Sequence, residues 1–117
     1  MPVLQLKPGS SSDELLTFAD KASQASDFLK AISHEARLMI LCILSEGEKS
    51  VTEIETILGL QQAVVSQQLA RLRHENVVET RREGRQIYYS IANPDVSGII
   101  DALYSMFCKP GATMVRS

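Results

Sequence analysis

Residues 34–45 are apolar on nearly every side, and this segment constrains the fold more than any other part of the chain. It contains the longest unbroken apolar run, 38–44, and Gly47 follows as a helix stop. A helix that is apolar all round has to be covered on most faces by other elements. Because the run is far shorter than the ~20 residues that cross a bilayer, it predicts the central helix of a folded core.

Length and composition predict a single domain over residues 1–117. The 117 residues are 44% hydrophobic and 22% charged, which is typical of a compact globular domain. Residues 1–12 and 109–117 are rich in Pro, Gly and Ser and lack apolar periodicity, so we predict flexible tails there. We predict neither a signal peptide nor a membrane span, and therefore expect a cytoplasmic protein with no membrane partner.

Apolar residues recur at helical spacing in four other segments. Ser33 is predicted to cap the central helix, and Ser50 or Thr52 to cap the helix that follows it. Pro94 marks the start of the last helix, which ends near Cys108. The predicted helices besides the central one span about 13–31, 50–58, 61–75 and 94–108.

Two short β-rich runs, 77–78 and 87–91, separate the last two helices. They are joined through residues 82–85, where Gly84 tolerates the positive φ of a tight hairpin. Four helices, a β-hairpin and a fifth helix, with a glycine break between the third and fourth helices, are the elements of a winged helix-turn-helix. The predicted fold is therefore mainly α with a small β-hairpin.

The fourth predicted helix carries small and hydrogen-bonding side chains opposite an apolar stripe of Val65, Leu69 and Leu72. Small residues allow close approach to a DNA groove, while Gln, Ser and Arg bond to bases or phosphates. A solvated polar face explains the helix alone, and edge protection explains the charged hairpin alone. Together, in this order, they favour double-stranded DNA as partner. The predicted DNA-binding residues are Gln62, Ala63, Ser66, Gln67, Gln68, Arg71, Arg81, Arg82 and Arg85.

Net charge leaves a second class of protein open. The chain carries a formal charge of −2 and has a pI near 5.6, whereas DNA-binding domains are usually basic. The acidic excess lies before residue 60, and residues 61–90 are net basic. A winged-helix module that binds other proteins rather than DNA is the alternative.

The chain resembles the ArsR family of bacterial winged-helix repressors over about residues 28–92. The resemblance rests on LKAISHEARL at 29–38 and VSQQLARLR at 65–73. Members of that family are homodimers that pair through their first and last helices and release operator DNA when an inducer binds. The resemblance therefore implies a homodimer formed by the two outer helices of this chain.

The metal-binding patterns of many ArsR sensors are missing. Residues 48–53, where a Cys-x-Cys pair is expected, read EKSVTE, and the last helix offers only Asp95 and Asp101 as charged ligands. His34 and His74 are predicted to be surface or capping residues. No general base or Cys-x-x-Cys accompanies either cysteine, which disfavours a thiol enzyme. We therefore predict no metal, no cofactor and no enzymatic activity.

Cys42 and Cys108 are the two cysteines of the chain, and their positions resemble the BigR/SqrR subgroup of persulfide-responsive repressors over about residues 14–109. That resemblance implies that both thiols react with sulfane sulfur from a persulfide or polysulfide inducer. A di-, tri- or tetrasulfide bridge then forms and weakens DNA binding. The residues alone leave alternatives open, because Cys42 also suits a buried core, and the same thiols suit peroxide, quinones or a soft metal ion.

Overall fold

The computed structural model describes residues 6–108, so the predictions for 1–5 and 109–117 lie outside the described residues. Its element order confirms the predicted mainly α winged helix-turn-helix with a small β-hairpin. Within the described residues, no helix combines the length and the apolarity needed to cross a bilayer. The elements are α1 Ser12–Ile32, α2 Glu35–Leu44, β1 Lys49–Ser50, α3 Val51–Leu58, α4 Gln62–His74, β2 Val78–Glu83, β3 Gln86–Ile91 and α5 Pro94–Phe107.

The core is built around α2, as its apolar pattern predicts. Ile40 and Leu41 are fully buried there, and Ile54 of α3 and Leu69 of α4 pack into the same cluster. Ile100 closes the cluster from α5. Burying each such side chain stabilises the fold by about 1.5–3 kcal/mol relative to leaving it in water. The helices that flank α2 are therefore held in fixed positions around it.

Local capping determines where the helices begin. Ser11 caps α1 and exchanges hydrogen bonds with Glu14, so Ser12, which the sequence placed in a tail, is already helical. Ser50 caps α3, as predicted. The prediction for α2 was wrong, because its cap is not Ser33 but the next residue. His34 has the extended backbone that a cap requires, and its Nδ1 accepts a hydrogen bond from the Ala36 N–H at 3.1 Å.

The sheet has three antiparallel strands in the order β1-β3-β2. The sequence did not predict β1, because two residues are too short to show an alternating pattern. β2 and β3 form the wing, and Glu83 pairs with Gln86 across a two-residue turn. Gly84 takes φ of +63° there, which confirms its predicted role in the hairpin.

The first and last helices leave apolar surface uncovered in a single protomer. Residues 12–27 of α1 are all exposed, and Leu15 and Leu16 leave 52% and 68% of their surface open. Only Ala31 and Ile32, at the end of α1, are buried. On α5, Phe107 is 53% exposed, and other large apolar side chains of this helix are between 38% and 51% exposed. Large apolar side chains exposed along two helices indicate a surface that binds another protein.

Candidate functional site

The polar face of α4 is open to solvent, and its apolar stripe is fully buried. Val65, Leu69 and Leu72 have no exposed surface, as the periodicity predicts. The turn before α4 is closed by Gly59, which takes φ of +67° and donates its N–H to the Glu55 carbonyl at 2.7 Å. This arrangement holds α4 against the core and turns one face outward. The predicted residues exposed on that face are Gln62, Ala63, Ser66, Gln67 and Arg71.

Gln68 is placed differently from the other predicted residues of α4. It is half-buried, and its amide oxygen accepts a hydrogen bond from Arg37 of α2 at 2.8 Å. The same arginine also donates to the last carbonyls of α1. Gln68 therefore connects the helix with the polar face to two other helices. Sequence reasoning did not find Arg37, because the contact spans 31 positions.

The three wing arginines are not equivalent. Arg81 forms ion pairs with Glu48 and Glu83, and its guanidinium lies 4.8 Å from the ring centroid of Tyr88. The hydrogen bonds that Arg81 donates to these carboxylates, that to Glu48 first, raise the pKa of Arg81 above its usual value. The two carboxylates therefore already neutralise the positive charge of Arg81 within the protein. Arg82 and Arg85 are also exposed, Arg82 as the strand neighbour of Arg81 and Arg85 in the hairpin turn.

The fold brings Cys42 and Cys108 to one apolar cavity. Cys42 lies on α2 and is half-buried, whereas Cys108 follows the last residue of α5 and is exposed. Both are free thiols. A wider surface groove, which both cysteines also line, extends past Met39 and Ile57 and opens the pair to solvent. The cavity has a volume of about 240 Å³, and its other lining residues are Leu38, Ile100, Leu103, Tyr104 and Phe107.

Two effects raise the pKa of Cys42. The larger is burial in the apolar surroundings of α2, and the second is repulsion from a thiolate at Cys108. The shared cavity accounts for the second effect, because repulsion between two thiolates falls with distance. A raised pKa keeps Cys42 protonated at neutral pH, and an exposed thiol meets a dissolved reagent first.

Replacing Cys108 with serine is expected to lower the pKa of Cys42. The pKa should stay above a cysteine's ordinary value, because the burial is unchanged and only the repulsion is lost. The pH dependence of Cys42 alkylation by iodoacetamide, followed by mass spectrometry, should therefore shift to lower pH in Cys108→Ser. Ser105→Ala, a nearby change on α5 that keeps both thiols, serves as control. An unchanged midpoint in Cys108→Ser would mean that the thiols do not interact.

Metal ligands are not gathered at this site. Among residues 6–108, no three His, Cys, Asp or Glu side chains lie close enough together to hold a metal ion. The reactive side chains that line the cavity are the two free thiols. His34 borders the wider groove, but its Nδ1 is taken up in capping α2.

An exposed recognition-type helix, the tight turn before it and a basic two-stranded wing define a winged helix-turn-helix protein that binds duplex DNA. The profile of bacterial regulatory proteins of the arsR family matches residues 34–80. The chain is also 44% identical over 90 residues to the Biofilm growth-associated repressor of Agrobacterium fabrum, covering 77% of each chain. It therefore belongs to the ArsR family and is a DNA-binding transcriptional regulator of the ArsR/BigR type, not an enzyme.

Solved structures agree with this assignment. The transcriptional repressor BigR from Xylella fastidiosa is 40% identical and superposes with a TM-score of 0.73, covering 81% of this chain and 97% of its own. The homodimeric winged helix-turn-helix DNA-binding domain of Mb0332 from Mycobacterium bovis is 33% identical, with a TM-score of 0.69. That match covers 83% of this chain and 86% of the Mb0332 fragment.

Proposed function

We propose that this protein is a homodimeric repressor that senses persulfides and polysulfides through Cys42 and Cys108. The observation that carries the proposal is the shared apolar cavity, which brings the two cysteines of the chain together from α2 and α5. A sulfur bridge between them ties the core helix to the last helix. The bridged protein binds its operator more weakly than the dithiol form. We place this activity in the cytoplasm, where operator DNA lies.

In this proposal α4 enters the major groove and the wing follows the phosphate backbone. Small residues on α4 permit close approach, and its Gln, Ser and Arg side chains contact bases and phosphates. On the wing, Arg82 and Arg85 bind phosphates, while Arg81 holds the wing against Glu48. The residues assigned to DNA on α4 are Gln62, Ala63, Ser66, Gln67, Gln68 and Arg71.

The wing can be tested by salt dependence. We expect Arg82→Ala and Arg85→Ala each to reduce the slope of log affinity against log salt concentration by about one unit. Arg81→Ala should change that slope much less, because two carboxylates already match its charge. The measurement is fluorescence anisotropy with a DNA duplex that the wild-type protein selects from a random-sequence pool. Equal slope changes for all three variants would contradict the assignment.

The homodimer forms through the exposed apolar faces of α1 and α5. These faces are the surface that a single protomer leaves uncovered, and the Mb0332 neighbour is described as homodimeric. Pairing the two helices with those of a second copy removes this surface from water. It also presents two α4 helices to DNA at a fixed separation, which a two-fold symmetric operator requires.

The bridge forms by two thiol-exchange steps that need no other oxidant. The exposed Cys108 thiolate attacks the outer sulfur of a persulfide R–S–SH, gives Cys108–S–SH and releases the thiol R–SH after protonation. Cys42, as its thiolate, then attacks the Cys108 sulfur and displaces hydrogen sulfide, which leaves a disulfide. If a second persulfide first extends the chain, Cys42 attacks the middle sulfur and leaves a trisulfide. The sulfane sulfur is the electron acceptor in both routes, and it departs as hydrogen sulfide.

Bridge formation acts on DNA binding through the dimer. Cys108 lies at the end of α5, which belongs to the proposed interface, and Cys42 lies on α2, which packs against α4. A bond between them shifts the interface relative to the core of each protomer. The angle and separation of the two α4 helices change with it.

The proposed function is tested by titrating the selected duplex with wild-type protein before and after sodium tetrasulfide. We expect treatment to weaken binding by about tenfold or more, and dithiothreitol to restore it. Hydrogen peroxide should have a smaller effect, because it gives only the direct disulfide, which requires the two Cα atoms within about 7 Å, whereas the sulfur donor also gives longer bridges. Unchanged affinity after tetrasulfide would refute the sensing role.

A further inference from the structure

Arg37 is a half-buried arginine of α2 that joins three helices. Its Nε donates to the backbone carbonyl of Ala31, and its Nη2 donates to that of Lys30 at 3.4 Å. Both acceptors lie at the C-terminal end of α1. Its Nη1 donates to the amide oxygen of Gln68 on α4 at 2.8 Å. One side chain therefore connects the end of the proposed dimer helix to the proposed DNA-reading helix.

The chemistry of the guanidinium makes this connection directional. A guanidinium can only donate, so the amide of Gln68 is oriented with its oxygen toward Arg37 and its two N–H donors elsewhere. The last carbonyls of a helix lack partners within the helix and carry partial negative charge, which favours a cation beside them. A planar fork reaches all these acceptors together, which the single ammonium of a lysine does not.

Arg71 lies close enough to Arg37 to affect its ionisation. Burial and then the positive charge of Arg71 lower the pKa of Arg37 below its usual value. Arg71 is itself exposed on the outward face of α4. Arg37 therefore lies beside the proposed DNA surface, and its charge has to be separated experimentally from its hydrogen bonds.

We propose that Arg37 is a positioning residue for DNA recognition, which sets the orientation of α4 relative to α1 through its hydrogen bond to Gln68. This inference rests on the proposed function, because it takes α4 as the DNA-reading helix and α1 as the dimer helix. Fixing the two helices against each other in each protomer fixes the two α4 helices of the dimer against each other. Arg37 does this without touching DNA.

A double-mutant cycle tests the proposal on the selected duplex. We expect Arg37→Met and Gln68→Met each to weaken binding by about tenfold. Arg37→Met also removes the hydrogen bonds to the end of α1, and Gln68→Met also removes the proposed DNA contact of that amide, so the test is whether the two effects multiply. The double variant should bind well under 100-fold more weakly than wild type, because the Arg37–Gln68 bond that the two changes share is lost only once. Multiplied effects, giving about 100-fold weaker binding, would overturn the proposal. If Arg37→Met does not fold, the same cycle is run with Arg37→Lys.

Two further measurements separate positioning from charge. Arg37→Lys keeps the charge and should not restore wild-type affinity, and Arg37→Met should leave the salt slope of binding unchanged. A slope that falls by about one unit, or full rescue by lysine, would mean that Arg37 binds a phosphate directly. If the DNA-binding part of the proposed function fails, the wild-type protein selects no duplex at all, which differs from every outcome above.

Discussion

Replacing Cys42 or Cys108 with serine is expected to abolish release of DNA by tetrasulfide while leaving the affinity of untreated protein nearly unchanged. Serine is close in size to cysteine, and neither side chain forms part of the proposed DNA surface. Cys42 is half-buried and Cys108 is exposed, so the fold should tolerate both changes. Wild-type protein should lose affinity by about tenfold or more, whereas each variant should change by less than about twofold.

The two variants also report the order of the reaction. Cys42→Ser keeps the exposed thiol and should accumulate a persulfide on Cys108, whereas Cys108→Ser keeps only the half-buried thiol and should react slowly. Mass spectrometry of each variant after tetrasulfide measures this directly. A Cys108→Ser protein that still releases DNA would mean that a single thiol suffices. The proposed bridge would then be wrong.

Placing a charge on the apolar face of α1 is expected to separate the dimer. Leu15 leaves 52% of its surface exposed in one protomer, and the proposed interface covers it. A glutamate there would be buried without a partner in both copies, which costs several kcal/mol. We expect Leu15→Glu to weaken dimerisation by about 100-fold or more, and operator binding to fall with it.

Thr17→Glu is the matched control for the dimer prediction. Thr17 is exposed two residues further along α1, on the opposite side of the helix from Leu15 and Ala19. The same charge at that position should leave the dimer intact. Sedimentation velocity measures both variants, and thermal unfolding checks that each keeps its fold. Equal behaviour of the two variants would contradict an interface on the Leu15 face.

The parts of the fold that sequence predicted are those that local patterns encode. The apolar run of α2 predicted its burial, and the spacing of Val65, Leu69 and Leu72 predicted which face of α4 meets the core. Gly84 predicted the turn of the wing because few other residues adopt its backbone conformation. Each of these signals depends on neighbours within a few positions.

The parts that sequence missed depend on contacts between distant positions. Arg81 and Glu48 lie 33 positions apart, and nothing near either residue indicates that they pair. The wing arginines therefore looked alike in sequence and differ in the structure. Arg37 and Gln68 were missed for the same reason. The sequence did not predict strand β1, because two residues show no periodicity and the strand that pairs with β1 is far away in the chain.

The cysteine site depends both on local sequence signals and on contacts between distant positions. Residue type and the resemblance to a known subgroup pointed to Cys42 and Cys108, but only the packing of α5 against α2 brings them to one cavity. The half-burial of one thiol and the exposure of the other also come from that packing. These differences give the two cysteines separate proposed roles, which their sequence surroundings alone did not define.

The most direct test of the central claim is mass spectrometry of protein treated with tetrasulfide. Covalent dimers and monomers are first separated under denaturing conditions, and each fraction is then digested with a protease. The account predicts that Cys42 and Cys108 of one protomer are joined in a single crosslinked fragment pair. The mass of that pair should equal that of a direct disulfide or exceed it by whole sulfur atoms. Persulfides left on unlinked cysteines, or a bridge only between two protomers, would contradict it.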